Sequence, residues 1–383
     1  MKEEYWNQSK NYEWEKEFAT VLADQQVKHG GTITLKCEAK TEELTAIWKK
    51  NGQRLDCVQD KHTIKQNGKS FTLEIKNAEE KDEGDYTITL NTKLYSVSCS
   101  AKVTTELNEW REIKWNQAEM IDTLRAFRIR NGEVKQLCFL VNGPVGVGKS
   151  SIINTIKTIF EGRPYVNYLA ASGLSQSQTI YYKKCEVGNT KDGFLPFTFH
   201  DTMGIQKDEN GLHTDDIISA LKGHVKDGYP FNPTSPLTEH NLYYCKNPDL
   251  KDRIHCLVNV IPADKISILD DKVIQKMKKV RDEASKLDLP QVVFMTRVDK
   301  ACPLTAEDLH NVYKSKKIKQ NMEKCSGALG VPLNCIFPVK NYYKETEISE
   351  DINCLMLHAL TKIVLWADDY AVEYSRKQTS AEG

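Results

Sequence analysis

The sequence predicts two unlike domains, an all-β sandwich followed by an α/β domain with the doubly wound sheet of a P-loop NTPase. Three observations predict this fold class. Residues 25–105 hold short runs of alternating apolar and polar residues, separated by turn-forming pairs. Residues 134–376 alternate strand-like and helix-like segments. Between one such strand and helix, residues 143–150 read GPVGVGKS, which fits the phosphate-binding pattern GxxxxGK[ST].

A chain of 383 residues is long enough for two or three domains. The first 24 residues are polar and aromatic, and their pattern leaves a short helix and an extended arm equally open. The composition changes along the chain predict five segments: an N-terminal arm (1–24), the β domain (25–105), a linker helix (106–133), the α/β domain (134–376) and a polar tail (377–383).

Composition excludes several classes of partner. The 53 basic and 53 acidic residues give a formal net charge of zero, so bulk charge favours neither nucleic acid nor an anionic membrane. The longest apolar stretch, residues 354–367, is too short and too charged to span a bilayer. The eleven cysteines lack CxxC pairing, and the charged N-terminus lacks an apolar stretch, so we expect reduced thiols and a cytoplasmic location.

The β domain carries a recognisable set of core residues. Cys37 and Trp48 have the spacing of a first-sheet cysteine and a core tryptophan, and Leu73 fits a buried position on a later strand. Residues 82–86 read DEGDY, which matches the D-x-G-x-Y tyrosine corner. These residues resemble an immunoglobulin domain of the I-set type over about 80 residues.

The resemblance has one departure. The second core cysteine is expected two residues after the corner tyrosine, but that position is Ile88. The usual disulfide between the sheets therefore cannot form, and we expect an apolar contact between Ile88 and Cys37 in its place. Cys99 on the following strand is the alternative partner for Cys37, and a reducing compartment argues against that pairing.

The linker and the α/β domain follow a regular alternation. Apolar residues recur every three or four positions over residues 117–128, which predicts a helix packed on the α/β domain. We expect strands at 137–142, 181–187, 194–200, 254–261, 291–296 and 333–339, and helices from 149 and over 214–225, 272–286, 306–325 and 352–374.

The P-loop pattern has the strand before it and the helix after it that its chemistry requires. Glycines let the loop amides point at phosphate oxygens, and the helix N-terminus adds its positive end. Lys149 is expected at the β- and γ-phosphates, and the Ser150 hydroxyl at Mg²⁺. The predicted phosphate-binding residues are Gly143, Gly146, Val147, Gly148, Lys149, Ser150 and Ser151.

A second motif, DTMG at residues 201–204, follows an apolar strand about 50 residues after the P-loop. At that spacing, Asp201 is expected to hold Mg²⁺ through water and the Gly204 amide to meet the γ-phosphate. A threonine should close over the metal from the intervening loop, 172–179. Thr179 is our candidate, with Ser177 behind it, and an ordinary solvated hydroxyl is the alternative. The predicted metal ligands are thus Ser150, Thr179 and Asp201.

The base-reading motif is the weakest match. Residues 296–299 read TRVD and follow a strand, at the position of the guanine-reading [NT]KxD. We expect Thr296 and Asp299 to contact the base. Arg297 stands where lysine is usual and is expected to stack on the base. Lys340 matches one residue of a later base-contacting motif. Guanine nucleotides, GTP and GDP with Mg²⁺, are the expected ligands. An ATP-binding protein is one alternative, and a plain surface turn is the alternative for TRVD.

Two residues predict slow hydrolysis. The residue after DTMG is Ile205, whereas small GTPases place a water-orienting glutamine there. Val145 puts a branched side chain beside the γ-phosphate position. Lys149 and Asp201 are expected to contribute to catalysis, and no catalytic base is assigned. Hydrolysis assisted by a partner or by a nucleotide-dependent homodimer is compatible with this pattern.

The segment between DTMG and the next strand, residues 205–253, is long for one crossover. It contains a predicted helix and a stretch rich in proline, asparagine and glycine. We expect either a surface for a protein partner or an insertion without a direct role.

Four motifs together resemble the interferon-induced protein 44 family: WREIKW (110–115), GPVGVGKSS (143–151), DTMG (201–204) and TRVD (296–299). The resemblance covers about residues 107–376, and the immunoglobulin-like domain ahead of it is similar to the arrangement in fish members. It implies a cytoplasmic GTP-binding protein of the interferon-induced antiviral response. One reading is a nucleotide switch whose immunoglobulin domain recruits a protein partner, and the other is a scaffold that holds nucleotide without cycling.

Overall fold

The computed structural model describes residues 17–42, 44–91, 95–106, 108–165, 179–189, 193–207 and 211–382. The chain forms two compact units, Met1–Trp110 and Arg111–Gly383. Residues 1–16 of the expected N-terminal arm lie outside the described residues. The rest of that arm is extended, since it includes the first strand of the first unit.

The first unit is a sandwich of two sheets. The described residues of one sheet run in the order β1-β3-β7-β6, and those of the other in the order β2-β9-β8-β4-β5. The strands are β1 Phe18–Thr20, β2 Gln25–Lys28, β3 Ile33–Ala39, β4 Thr45–Lys50, β5 Gln53–Arg54, β6 His62–Asn67, β7 Ser70–Ile75, β8 Gly84–Asn91 and β9 Ser96–Glu106.

Alternation of side chains builds the core of this sandwich. Every second residue of β3 is buried, and Trp48, Leu73 and Tyr86 from other strands fill the same core. The Tyr86 hydroxyl donates a hydrogen bond to the Asp82 carbonyl at 2.7 Å, which is the expected tyrosine corner. The predicted immunoglobulin-like sandwich is confirmed.

Ile88, which stands where the second core cysteine is expected, lies in the core of the sandwich. Cys37 and Ile88 are both fully buried, and Ile88 on β8 pairs in register with Cys99 on β9. Cys99 packs against the same core, and both cysteines are free thiols. The neighbouring Cys99 thiol and burial together raise the pKa of the Cys37 thiol.

The second unit is built on a sheet in the order β11-β12-β10-β13-β14-β15. All described neighbours are parallel except β11 and β12, which are antiparallel. The strands are β10 Leu137–Asn142, β11 Lys183–Asn189, β12 Gly193–Asp201, β13 Cys256–Pro262, β14 Gln291–Thr296 and β15 Ile336–Pro338.

The helices of this unit are α1 Gln117–Ala126, α2 Lys149–Glu161, α3 Thr214–Leu221, α4 Asp271–Lys286, α5 Val298–Ala301, α6 Pro303–Glu307, α7 Lys316–Leu329 and α8 Glu350–Glu382. Strands β10 and β13 are buried along their whole length, as strands covered on both faces must be. Helix α8 packs against α1 and α2. The predicted α/β fold class with a largely parallel sheet is confirmed.

Three element predictions need correction. The expected helix 306–325 is two helices, α6 and α7, because Asp308 caps a short turn and Ser315 caps the start of α7 by accepting from the Ile318 amide. The expected strand 333–339 shrinks to β15, since residues 333–335 form a 3₁₀ turn after Pro332.

The third correction concerns the C-terminus. The sequence predicts that the last helix ends at residue 374 and that a polar tail follows, but α8 continues to Glu382. Hydroxyl groups in this extension bond backward to the helix, with Thr379 donating to the Ser375 carbonyl. Lys377 also pairs with Asp288 at 2.7 Å, which anchors the extension. Among the described residues, no helix has both the length and the apolar character needed to cross a membrane.

Candidate nucleotide site

The P-loop joins the end of β10 to the start of α2, as predicted. Gly143 and Gly148 have φ values of 154° and 100°, which side chains rarely adopt. A Cβ on Gly143 would lie 2.5 Å from the Val260 carbonyl oxygen, so the loop passes directly over β13. Only glycine allows this path, and the path places the N-terminus of a 13-residue helix beside the loop.

Lys149 points back into this loop. Its Nζ donates hydrogen bonds to the carbonyl oxygens of Gly143 at 3.1 Å and Pro144 at 3.0 Å. The side chain is buried, which lowers the pKa of Lys149 to about 8, against the opposing effect of Asp201. A buried ammonium held by carbonyl dipoles is suited to a phosphate anion, which would offset the cost of burying its charge.

The three predicted metal ligands come together. The Ser150 hydroxyl donates to Asp201 Oδ2 at 2.8 Å, and Thr179 Oγ1 lies 3.3 Å from both of these oxygens. They offer the hard oxygen donors that Mg²⁺ prefers. Ser177 and the rest of the loop, residues 172–178, lie outside the described residues.

Asp201 is the strongest sign that the cluster fits a cation. It is 1% exposed, and its Oδ1 has no hydrogen-bond partner in the described part of the chain. Burial raises the pKa of Asp201, although Lys149 and the hydroxyl donors counteract it. A buried carboxylate oxygen without a donor is costly, and a bound Mg²⁺ would remove that cost.

The DTMG segment is hydrogen-bonded to the P-loop. The Ile205 amide donates to the Gly143 carbonyl at 3.1 Å, and the Val145 amide donates to the Ile205 carbonyl at 3.2 Å. These two bonds form a parallel bridge between Pro144 and Ile205. Ile205 is 1% exposed, and a Cβ on Gly204 would lie 2.5 Å from Val145 Cγ2. Val145 therefore packs directly on the glycine expected to meet the γ-phosphate.

The TRVD segment also contacts the P-loop. The Thr296 hydroxyl donates to the Val147 carbonyl at 2.8 Å. Arg297 has a left-handed backbone with φ 60°, and its guanidinium donates to the Gly146 carbonyl. The Arg297 side chain thus contacts the phosphate loop, and its expected stacking on a base stays a prediction. Asp299 lies two residues further on, in α5 at the same edge of the sheet, and is partly exposed.

Lys340, the expected base contact, and its neighbour Asn341 lie just after β15, and the base contact of Lys340 stays a prediction. Lys340 pairs with Glu345 at 2.8 Å. Burial opposes ionisation of Glu345, but hydrogen bonds from Lys340 and backbone amides lower its pKa to about 2. Asn341, which sequence reasoning passed over, donates to the Gly148 carbonyl at 3.3 Å and accepts from the Thr155 hydroxyl at 3.4 Å. The signal for it was its place just after β15, on the edge where β10 ends.

The WREIKW motif anchors the linker. The Arg111 guanidinium donates to the carbonyls of Ile336 at 2.7 Å and Leu333 at 2.6 Å, and it lies 5.2 Å from the Tyr313 ring centroid. The Trp115 ring stacks on His310 at 3.9 Å. These contacts fasten the chain to the end of the sheet at β15 and do not involve the phosphate loop.

The long segment after DTMG is described except for residues 208–210, and internal hydrogen bonds hold it. Buried Asp216 accepts from the Leu237 amide at 2.6 Å and from the Tyr229 hydroxyl at 3.3 Å. The loop then pairs with the residues after Thr179, since the Phe231 amide donates to the Ile180 carbonyl at 2.9 Å. The segment therefore packs beside a predicted metal ligand.

These features define a two-domain protein, with an immunoglobulin I-set domain ahead of an α/β domain arranged like P-loop proteins. The family profile of the immunoglobulin I-set domain matches residues 16–105. Human interferon-induced protein 44 is 32% identical over 253 residues, which cover 66% of this chain and 56% of that protein. The mouse protein is 31% identical over 256 residues, covering 66% and 60%.

Human interferon-induced protein 44-like is 32% identical over 264 residues, which cover 68% of this chain and 58% of that protein. The chain is thus a homologue of interferon-induced protein 44, and the resemblance carried by the four motifs is confirmed. The matched part of the chain spans somewhat more than half the length of these relatives.

Solved immunoglobulin domains resemble the first unit. Domain I10 of titin is 24% identical, with a TM-score of 0.21, and the match covers 23% of this chain and 94% of that domain. Titin domain M7 is 32% identical, with a TM-score of 0.22, over 23% of this chain and 90% of that domain.

Proposed function

We propose that the α/β unit binds a guanine nucleotide with Mg²⁺ and hydrolyses GTP slowly. One observation carries this proposal: Ser150, Thr179 and Asp201, from three separate segments, converge on one point beside the P-loop. Such a cluster of hydroxyls around a buried carboxylate is suited to a cation that bridges phosphate oxygens. Lys149 lies in the same loop, where it would neutralise the phosphates.

The choice of guanine rests on the TRVD segment. Thr296 and Arg297, at the end of β14, both bond to P-loop carbonyls, and Asp299 follows two residues later in α5. A carboxylate at that place accepts the two adjacent N–H donors of guanine, which adenine lacks. An ATP-binding site is the alternative, because TRVD matches the guanine-reading motif imperfectly. The experiment below therefore also uses an ATP analogue.

Slow hydrolysis follows from the surroundings of Gly204. Ile205 is buried and has no polar group to orient a water molecule. Val145 packs against Gly204 and occupies space on the γ-phosphate side of the loop. We expect turnover well below ~1 s⁻¹ for the protein alone. A scaffold that holds nucleotide without cycling is the second candidate, and the same buried Ile205 favours it.

The relatives indicate the biological setting. Their names describe interferon-induced proteins, and we propose that this chain acts in the same innate immune response, in the cytoplasm. The I-set domain would serve as a protein-interaction module. A second partner surface would lie along segment 205–253, where Leu242 is 90% exposed and Tyr181 on the paired segment is 50% exposed.

Calorimetric titration with GTPγS and ATPγS in the presence of Mg²⁺ tests the proposal. We expect micromolar binding of GTPγS, weaker binding of ATPγS, and loss of binding in Lys149→Ala. Lys157→Ala, two turns further along α2, is the matched control and should bind normally. Equal binding of both nucleotides would move the assignment to a general P-loop protein, and no binding to either would refute the nucleotide function.

A further inference from the structure

A second cavity of about 710 Å³ lies in the α/β unit, between the C-terminal half of α8 and the starts of β13 and β14. Arg253 precedes β13 and Gln291 begins β14, so the cavity is at the amino edge of these parallel strands. The P-loop follows the carboxyl end of β10. The cavity is therefore separate from the nucleotide site, and its volume is within the roughly 300–1,000 Å³ of small-molecule sites.

Aromatic side chains form one wall. Trp366, Tyr370 and Tyr374 follow each other at intervals of four residues on α8, so they share one face of the helix. Leu287 and Pro290 line the cavity as well. Tyr374 and Lys377 line the cavity near the C-terminal extension of α8. This arrangement is suited to a flat apolar body.

Two buried polar atoms in the lining have no hydrogen-bond partner among the described residues: Arg253 Nε, a donor, and Gln291 Oε1, an acceptor. The Gln291 amide nitrogen donates to the Arg281 carbonyl at 3.1 Å and to the Ser285 hydroxyl at 2.9 Å, which fixes the amide so that its oxygen is the free group. Both atoms are shielded from solvent and so do not face the open cavity, and a ligand there would meet Arg253 through its other guanidinium nitrogens.

Arg253 differs from other charged residues that line the cavity in having no ion-pair partner among the described residues. Lys377 is paired with Asp288 at 2.7 Å, and Asp369 is paired with Arg130. Glu373 lies exposed at the rim. The Arg253 guanidinium lies over the Tyr374 ring at 5.0 Å, and no carboxylate in the described part of the chain lies within ion-pair distance of it. It is thus a cation that an anionic ligand group would complete.

We propose that this cavity binds a small aromatic anion. The ring system would lie against Trp366, Tyr370 and Tyr374, and the anionic group would bond to the Arg253 guanidinium. The site is independent of the nucleotide pocket, since the two lie at opposite edges of the sheet and share no residue.

The probe for the test is 1-anilinonaphthalene-8-sulfonate, which combines aromatic rings with a sulfonate. Its fluorescence is titrated with the folded, full chain. We expect micromolar binding that is at least tenfold weaker in Arg253→Met. Arg376→Met removes an exposed arginine from the same helix end and should leave the affinity unchanged. Lys149→Ala and added GTPγS should also leave it unchanged, so this test succeeds or fails separately from the nucleotide proposal.

Competition with the unmodified protein keeps the test decisive if Arg253→Met does not fold. Salicylate, an aromatic carboxylate, should displace the probe, and neutral benzyl alcohol at the same concentration should not. Equal displacement by both compounds would overturn the claim of anion recognition. Unchanged affinity in a folded Arg253→Met, or an equal loss in Arg376→Met, would overturn the assignment of the site.

Discussion

The two units each bury an aspartate, and they treat its carboxylate in opposite ways. Asp82 in the immunoglobulin unit pairs with Lys61 at 2.7 Å and accepts from the Glu79 amide at 2.8 Å. Burial opposes its ionisation, but these partners outweigh burial and lower the pKa of Asp82. Asp201 in the α/β unit has one oxygen without a hydrogen-bond partner among the described residues, and burial raises its pKa.

The difference is between a carboxylate that stabilises a fold and one that we propose binds a cation. Both residues are nearly inaccessible, at 5% and 1% exposure, so burial alone does not distinguish them. The kind of donor does, because Asp82 accepts from an ammonium and an amide, whereas the described side-chain donors to Asp201 are hydroxyl groups. Removing Asp82 should therefore damage stability, whereas removing the charge of Asp201 should damage binding.

The largest expected effect is on nucleotide binding. Asp201→Asn removes the charge that would hold Mg²⁺, and we expect GTPγS affinity in Mg²⁺ to fall roughly 100-fold, about 2.7 kcal/mol. Thermal unfolding without nucleotide should occur at the same temperature or higher, because an unpaired buried charge is lost. Asp216→Asn, at another buried carboxylate of this unit, should retain binding. A large loss of stability in Asp201→Asn with binding intact would reverse the comparison.

The next effect is on the immunoglobulin unit. Asp82→Ala removes the Lys61 pair and the cap on Glu79, and we expect its free energy of unfolding to fall by about 2–3 kcal/mol. Because the folded pKa of Asp82 is lowered, its contribution is present above the unfolded pKa of about 3.8 and is lost as pH falls below it. Urea titration at pH 7 and pH 3 measures both. Asp85→Ala, three residues away and exposed, should change little.

Lys149→Met extends the comparison to a buried basic residue. The buried ammonium has a folded pKa of about 8, below the 10.5 of the unfolded chain, so its charge costs stability below pH 8. We expect the variant to gain about 1–3 kcal/mol at pH 7, and the gain to shrink between pH 8 and 10.5 as wild-type Lys149 loses its proton. Lys157→Met should show no such pH dependence. A variant less stable than wild type at pH 7 would contradict this account.

The smallest expected effect is at Arg297. Arg297→Met removes a donor to the Gly146 carbonyl, and we expect GTPγS affinity to fall by about fivefold, near 1 kcal/mol. Arg297→Lys should recover most of the loss, because an ammonium reaches the same carbonyl. If Arg297 instead stacked on the base, the methionine variant would change the preference for guanine over adenine, and titration with both nucleotides would show it.

The sequence was most informative where a motif sets its own local geometry. The P-loop glycines, Lys149 and the strand before them predict the loop without distant contacts. The spacing of two such motifs predicts that Ser150 and Asp201 meet, whereas Thr179 is a candidate from the loop between them, which no motif marks. The roles of Arg297 and Asn341 could not be read in this way, because their partners Gly146 and Gly148 lie about 150 to 190 residues earlier. The break between α6 and α7 at Asp308 and the extension of α8 have no strong periodic signal in the sequence. Local caps determine the break, and one ion pair holds the extension.

The carbonyl oxygen of Gly143 accepts from both Lys149 Nζ and the Ile205 amide. A phosphate that draws the ammonium away leaves this oxygen with one donor, and the hydrogen bond from Ile205 should then shorten. Filling the pocket would in this way be transmitted to the polypeptide after Gly204 through a single shared acceptor, and no side chain other than Lys149 would have to move. The amide proton of Ile205 is accordingly the magnetic resonance signal to follow during a nucleotide titration.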